Sequence, residues 1–262
     1  HWLQGGLGND RKDLGMLIRM FLDTFKNKVK VPALILKTSG ASFSVLDRED
    51  ILAKINQIKL SMGNHKFPKI YVLHGDLTDD EMNELYNHPK VKAHVTFTHG
   101  EGFGRPLLEA VFSEKPIIAP KWSGHLDFLP EKYVTLLPGG LTNVPNESLQ
   151  KGLVVDGAQW FTVDYGFASK VLKDVFDSYR KYTQSTKVLA MMNKNKFSMD
   201  AMTLAFEGML DKYLPEFPQE MGNLNLPKLK KSGGKIPSMK LPALKKENKM
   251  VAKMPQLKKV TS

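Results

Sequence analysis

Hydrophobic residues along the first half of the chain switch between two periods. Leu14, Leu17, Ile18, Phe21, Leu22 and Phe25 recur at three- and four-residue spacing, which predicts an amphipathic helix. Short apolar runs at 33–36, 70–73, 95–98 and 116–119 predict strands, and Trp2-Leu3 reads as the remnant of an earlier one, followed by a Gly-rich loop of Gly5, Gly6 and Gly8. Between the runs, Ile51, Leu52, Ile55 and Ile58 mark a second helix. Thr78 with Glu81 forms a capping box that opens a helix through Met82, Leu85 and Tyr86. Pro106 is placed to start another helix at its first position.

Strands that are apolar throughout, alternating with helices, predict an α/β fold with a Rossmann-like, doubly wound parallel sheet covered on both faces. Sheets of this kind bind ligands beyond the carboxyl ends of their strands. The loops to search are therefore 4–12, 38–44, 74–78, 98–106 and 120–127. Residues 138–160 read as irregular, Ala168, Val171, Leu172, Val175 and Phe176 mark a further helix, and a last helix runs from about Met199 until Pro215 stops it.

Beyond Pro218 the pattern ends. Lys, Pro and Gly dominate, and four unevenly spaced units recur at 226–230, 236–240, 241–245 and 254–258, each with a Pro that blocks helix and sheet. The chain thus divides into an expected folded domain, 1–217, and an expected disordered Lys/Pro-rich tail, 218–262. This division changes the meaning of the net charge of +11. From Met221 to Ser262 there are 11 Lys and one acid, Glu247, whereas the rest of the chain is nearly neutral at +1. The basic balance is therefore no argument about what the domain binds. With no cysteine, disulfides and thiolate metal sites are excluded and a reducing, cytoplasmic location is permitted. No apolar run is long enough to span a bilayer and no signal peptide opens the chain.

The stretch that carries chemistry is 98–110, Thr-His-Gly-Glu-Gly-Phe-Gly-Arg-Pro-Leu-Leu-Glu-Ala. Glu101 falls on a loop at the carboxyl end of a strand, and Gly102 and Gly104 let the backbone approach a ligand. Free amides at the following helix start suit a diphosphate. Glu109, one turn in, can accept two hydrogen bonds from a ribose diol. A plainer account stands beside this one: Arg105 and Glu109, four apart, form a surface ion pair, and Gly-Phe-Gly is a tight turn around a buried ring.

These residues resemble the E-x(7)-E motif of retaining GT-B glycosyltransferases, especially glycosyltransferase family 4, also called glycosyl transferases group 1. Four further segments resemble the same family in the same order: Asp10–Leu14, Leu73–Glu81, Lys115–Ala119 and Ser123–Asp127. The likeness covers about residues 3–137, and more loosely the helices to 214. It implies that Glu109 binds the ribose of a nucleotide-sugar donor, UDP- or GDP-linked. Glu101 would face the transferred sugar, and Lys12, helped by Arg11, would neutralise the departing diphosphate. Gly102, Phe103 and Gly104 would approach sugar and phosphates, with Leu107, Leu108, Asp76 and Leu77 also lining the donor. Glu101 and Lys12 are thus the implied catalytic pair. No metal and no cofactor beyond the donor substrate is implied.

Two positions depart from the family: Leu7 stands where many relatives have Arg, and Asp127 stands where Glu is usual. The resemblance also implies that the chain is the C-terminal, donor-binding half of a GT-B fold, that an N-terminal acceptor domain is missing, and that the fragment alone is inactive. The acceptor is unknown. His99, beside the motif, is expected to be an ordinary surface residue of the loop. Two other functions remain open. One is a non-catalytic nucleotide-sugar-binding or scaffold protein. The other places the action in the tail, through peripheral contact with an anionic membrane or, with weaker support, nucleic acid.

Overall fold

The computed structural model describes residues 9–39, 42–149 and 154–214. The strand remnant at Trp2-Leu3, the glycines at 5, 6 and 8, Leu7 and the tail from 218 lie outside the described residues.

Helix α1, Leu14–Phe25, turns the predicted stripe inward and buries Leu17, Ile18, Phe21, Leu22 and Phe25. Strand β1, Leu34–Lys37, pairs in parallel with β2, Ile70–Leu73, and α2, Val45–Ser61, connects them with Ile51, Ile55 and Ile58 inside. Helix α3, Asp79–Asn87, opens on the predicted capping box, with Thr78 and Glu81 each satisfying the other's backbone. A second parallel set joins β3, His94–Val95, to β4, Ile117–Pro120, and β4 to β5, Thr135–Leu137. Helix α4, Arg105–Phe112, crosses between β3 and β4.

Coverage on both faces holds at β4. Ile118 enters one hydrophobic cluster, with α1, α2, Phe97 and α5 (Tyr165–Asp177), while its neighbours Ile117 and Ala119 enter another, with α4, Phe128, Leu129 and α7 (Thr186–Phe197). Each fully buried side chain of this size contributes about 1.5–3 kcal/mol. Coverage fails at β1 and β2. Leu34 and Leu36 are buried, but Ile35 and Tyr71 are exposed, and among the described residues α3 has no buried side chain.

The irregular stretch expected at 138–160 contains instead an antiparallel ribbon, β6 (Gly139–Asn143) against β7 (Gln159–Val163). All of β6 is exposed, so no apolar alternation betrays it, and the two strands are separated by fifteen residues rather than a tight turn. Pro106 occupies the second helical position, not the first, behind the N-cap Gly104. A short helix α6, Tyr179–Thr183, precedes α7, and α8, Met199–Tyr213, ends the described chain. No helix among the described residues is long and apolar enough to cross a membrane.

Candidate active site

Two segments far apart in sequence meet just beyond the carboxyl end of β3. The segment before α1 and the segment after β3 are joined backbone to backbone: the His99 amide donates to the Arg11 carbonyl at 2.9 Å, and Thr98 Oγ1 donates to the same carbonyl at 3.4 Å. Arg11 returns the contact with a 2.6 Å hydrogen bond from its guanidinium to the Gly100 carbonyl. This clasp brings Lys12 Nζ into a hydrogen-bonded ion pair with Glu101 Oε1 and sets Arg11 3.6 Å from Glu101 Oε2.

Glu101 is held from the other side too. Its amide donates to Ser123 Oγ at 2.9 Å, Ser123 Oγ donates to its carbonyl at 2.5 Å, and the Gly124 amide reaches that carbonyl at 3.1 Å. Gly124 must lack a side chain, because a Cβ there would stand 1.9 Å from the Gly102 carbonyl oxygen. Burial pushes the Glu101 carboxyl up. The Lys12 hydrogen bond and charge, with Thr98 and Arg11, outweigh that and hold it below the usual range, so it is ionised at neutral pH.

Beneath this cluster lies a buried acidic layer. Asp10 Oδ1 accepts a 3.3 Å hydrogen bond from the Leu14 amide at the start of α1, while burial raises its pKa. Asp13 adopts a left-handed backbone, φ 49°, and accepts a 2.7 Å hydrogen bond from Tyr165 on α5. Burial, only partly offset by that bond, pushes Asp13 up to about 7. Asp13 and Tyr165 thus fix the turn that aims Lys12. Neither stood out in sequence, since an Asp before a helix reads as an ordinary cap.

The remaining predicted residues divide. The amides of Gly102, Phe103 and Gly104 make no hydrogen bond to described residues, and a Cβ on Gly102 would meet open space. Gly104 has a different reason for being Gly: φ is +90°, and a Cβ would press within 3.1 Å of His125. The Phe103 ring packs 5.0 Å from Phe128 and 5.6 Å from Phe197. Leu107 and Leu108 are buried in the α4 cluster, and their amides bond to the Gly104 carbonyl. Glu109 pairs with Arg105 at 3.0 Å, so the local ion pair is formed. Asp76 and Leu77 lie in the loop after β2, which Lys37 fastens through a 2.7 Å bond to the Gly75 carbonyl; no described contact joins them to Glu101.

One expectation is overturned. His99 is not a surface residue: it is buried, its Nδ1 donates to the Phe161 carbonyl at 2.7 Å, and its ring stacks on Trp160 at 3.9 Å. The unforeseen β6–β7 ribbon provides both partners, so His99 was unreadable without it. Two recesses, of about 400 Å³ beside Lys59, His65 and Phe67 and of about 180 Å³ beside Lys132 and Lys181, lie away from Glu101. They share no residue with the cluster. Among the described residues no group of His, Asp and Glu could hold a metal ion.

No family model matches the chain, and no curated protein matches it. Solved structures do. HepE from Anabaena, in complex with UDP and glucose, is similar over 77% of this chain and 45% of its own, with a TM-score of 0.52 at 15% identity. Sucrose-phosphate synthase from Thermosynechococcus elongatus gives 0.52 at 15% identity, over 77% of this chain and 42% of its own. A glycosyltransferase from Rickettsia africae gives 0.52 at 14% identity, over 82% and 48%. At such identities the likeness is one of fold. This chain spans less than half the length of each of the three.

Proposed function

We propose that this chain, which has the GT-B glycosyltransferase fold, is the donor-binding half of an enzyme that transfers a sugar, with retention, from a nucleotide diphosphate to an acceptor of unidentified chemistry. The observation that carries the reading is the meeting of Arg11 and Lys12 with Glu101 across 89 residues of sequence. Two cations and a carboxylate, set beside unpaired amides at a helix start, suit a diphosphate leaving group on one side and sugar hydroxyls on the other.

In this reading the donor diphosphate draws Lys12 and Arg11 away from Glu101. Phosphate departure builds negative charge, which the two cations and the amides of Gly102, Phe103 and Gly104 stabilise. Glu101, ionised and released from Lys12, then accepts from the sugar hydroxyls and offsets positive charge at the anomeric carbon. Glu109 turns from Arg105 to the ribose, which is feasible because the Arg105 side chain is mostly exposed. HepE was solved with UDP and with UDP-glucose, which makes uracil the first base to try.

The test is titration of the chain with UDP, GDP and ADP. One nucleotide is expected to bind, and Lys12→Ala to weaken it at least tenfold, since a charge-assisted contact is worth about 1.5–3 kcal/mol. Absence of binding by all three at millimolar concentration would overturn the reading.

A further inference from the structure

Trp122 precedes Ser123, the residue that clasps the Glu101 backbone, and nothing in the clasp requires an indole there. Its ring lies parallel to Phe161, 5.7 Å away at an interplanar angle of 5°. Phe161 is buried on β7 and is itself bonded to the site loop, its amide donating to the His99 carbonyl at 3.3 Å and its carbonyl accepting from His99 Nδ1. Trp122 is thus tied to the Glu101 loop twice, through Ser123 and through Phe161. Despite this support it remains 44% exposed. The 5.7 Å separation makes this an offset parallel pair, so part of the indole stays free for a ligand. A partly exposed indole, set beside a buried phenyl ring and one residue from the serine that holds the Glu101 backbone, has the form of a carbohydrate platform.

We infer that the exposed part of the Trp122 ring, beside Phe161, binds a pyranose ring of the reaction. The physical basis is the quadrupole of the indole: its negative face attracts the weakly positive C–H groups of a sugar, while the hydroxyls at the ring edge stay free for partners such as Glu101. Packing against Phe161 limits the entropy lost on binding. The ribbon β6–β7 then has a purpose in the site, since its β7 strand sends Trp160 to His99 and Phe161 to Trp122. The inference rests on the reading of Glu101 as the group that faces the transferred sugar. Two sources of pyranose are compatible with it, the donor's sugar and the acceptor's.

The full chain and its Trp122→Leu and Trp122→Tyr variants are titrated with UDP, GDP, UDP-glucose and GDP-mannose, and with methyl glycosides of glucose, galactose and mannose by saturation-transfer NMR. Leucine keeps an apolar contact for Phe161 but has no π face, whereas tyrosine keeps both. If Trp122 holds the donor sugar, Trp122→Leu weakens nucleotide-sugar binding about tenfold and leaves the bare nucleotide unchanged, the scale of one aromatic contact. If it holds the acceptor sugar, donor affinities stay as in the parent and the glycoside signal is lost. In both cases Trp122→Tyr retains most of the binding. Glycoside binding that depends on Trp122 without any nucleotide binding would overturn the glycosyltransferase reading and keep the platform. Nucleotide binding with every saccharide signal absent, or equal in Trp122→Leu, would overturn the platform alone.

Discussion

Glu101 and Glu109 are the same residue eight positions apart, and their surroundings have little in common. The Glu101 side chain is 13% exposed, paired with Lys12 across 89 residues, and its backbone is clasped by Ser123 and Gly124. The Glu109 side chain is 37% exposed, and its ion pair is with Arg105, one turn away on the same helix. The first carboxylate is built by tertiary structure and the second by helix periodicity. A change near Glu101 therefore reaches both the fold and the chemistry, whereas a change near Glu109 reaches only what the helix face binds.

The largest effect is expected where the clasp has no room. Gly124→Ala puts a Cβ 1.9 Å from one backbone carbonyl oxygen and 3.1 Å from another, Gly102 and Glu101, neither of which is a flexible side chain. The loop must shift, at an expected cost of about 3 kcal/mol or more, and nucleotide binding goes with it. Thermal unfolding and titration together check this. A variant that melts and binds like the parent would show that the clasp does not govern Glu101.

Next in size is the division of labour between the carboxylates. Glu109→Ala is expected to weaken nucleotide binding by about 1.5–3 kcal/mol, because two ribose hydroxyls lose a charged acceptor. Glu101→Gln is expected to leave nucleotide affinity within about twofold while turnover, in an enzyme complete with its acceptor half, falls at least a hundredfold. Titration calorimetry and initial rates separate the two. Exchanged phenotypes would reverse the assignment.

Smaller again is the pH dependence of the layer under Glu101. Asp13 sits at about 7 rather than 3.8, chiefly through burial, with the Tyr165 hydrogen bond opposing and Asp10 adding to the rise. The folded state thus keeps a proton that the unfolded chain gives up. Asp13's contribution is fully present below about pH 4, is lost as pH rises towards 7, and stays lost above it. Glu101, whose pKa is lowered, works the other way: its contribution is present above the ordinary value of 4.5 and disappears as pH falls below it. Asp13→Asn keeps the left-handed turn and an acceptor for Tyr165. It is expected to melt several °C higher than the parent at pH 8 and to differ little at pH 4. Melting curves at the two pH values decide; a difference from the parent that is the same at both would mean that the Asp13 pKa is not raised in the fold.

The sequence disclosed what is local. Helix α1, the strand at 70–73 and the capping box at Thr78 follow from spacing, and so does the chance that Glu109 meets Arg105. Glu101 and Lys12 were named through the family resemblance, but their contact depends on the Arg11 and Thr98 bonds, which no local pattern encodes. The ribbon β6–β7 was hidden because β6 is exposed throughout, and with it went His99, Trp160 and the support of Trp122. Full coverage of β1 and β2 was predicted from their apolar composition, yet Ile35 and Tyr71 face outward, because hydrophobicity reports a preference for burial and not the presence of a partner.

The smallest effect expected is also the one that decides what Glu109 is for. Arg105→Ala removes the i, i+4 ion pair from a mostly exposed position. If the pair is only a solvated contact, its loss costs no more than about 0.5 kcal/mol of stability. Nucleotide affinity is then expected to stay level or rise slightly, because Glu109 no longer has to leave Arg105 to reach a ribose. A stability loss above about 1 kcal/mol, with nucleotide affinity indifferent to both Arg105→Ala and Glu109→Ala, would identify the pair as a structural tie of α4. The comparison would then collapse to one functional carboxylate, Glu101, and the spacing of eight would be a property of the helix rather than of the ligand.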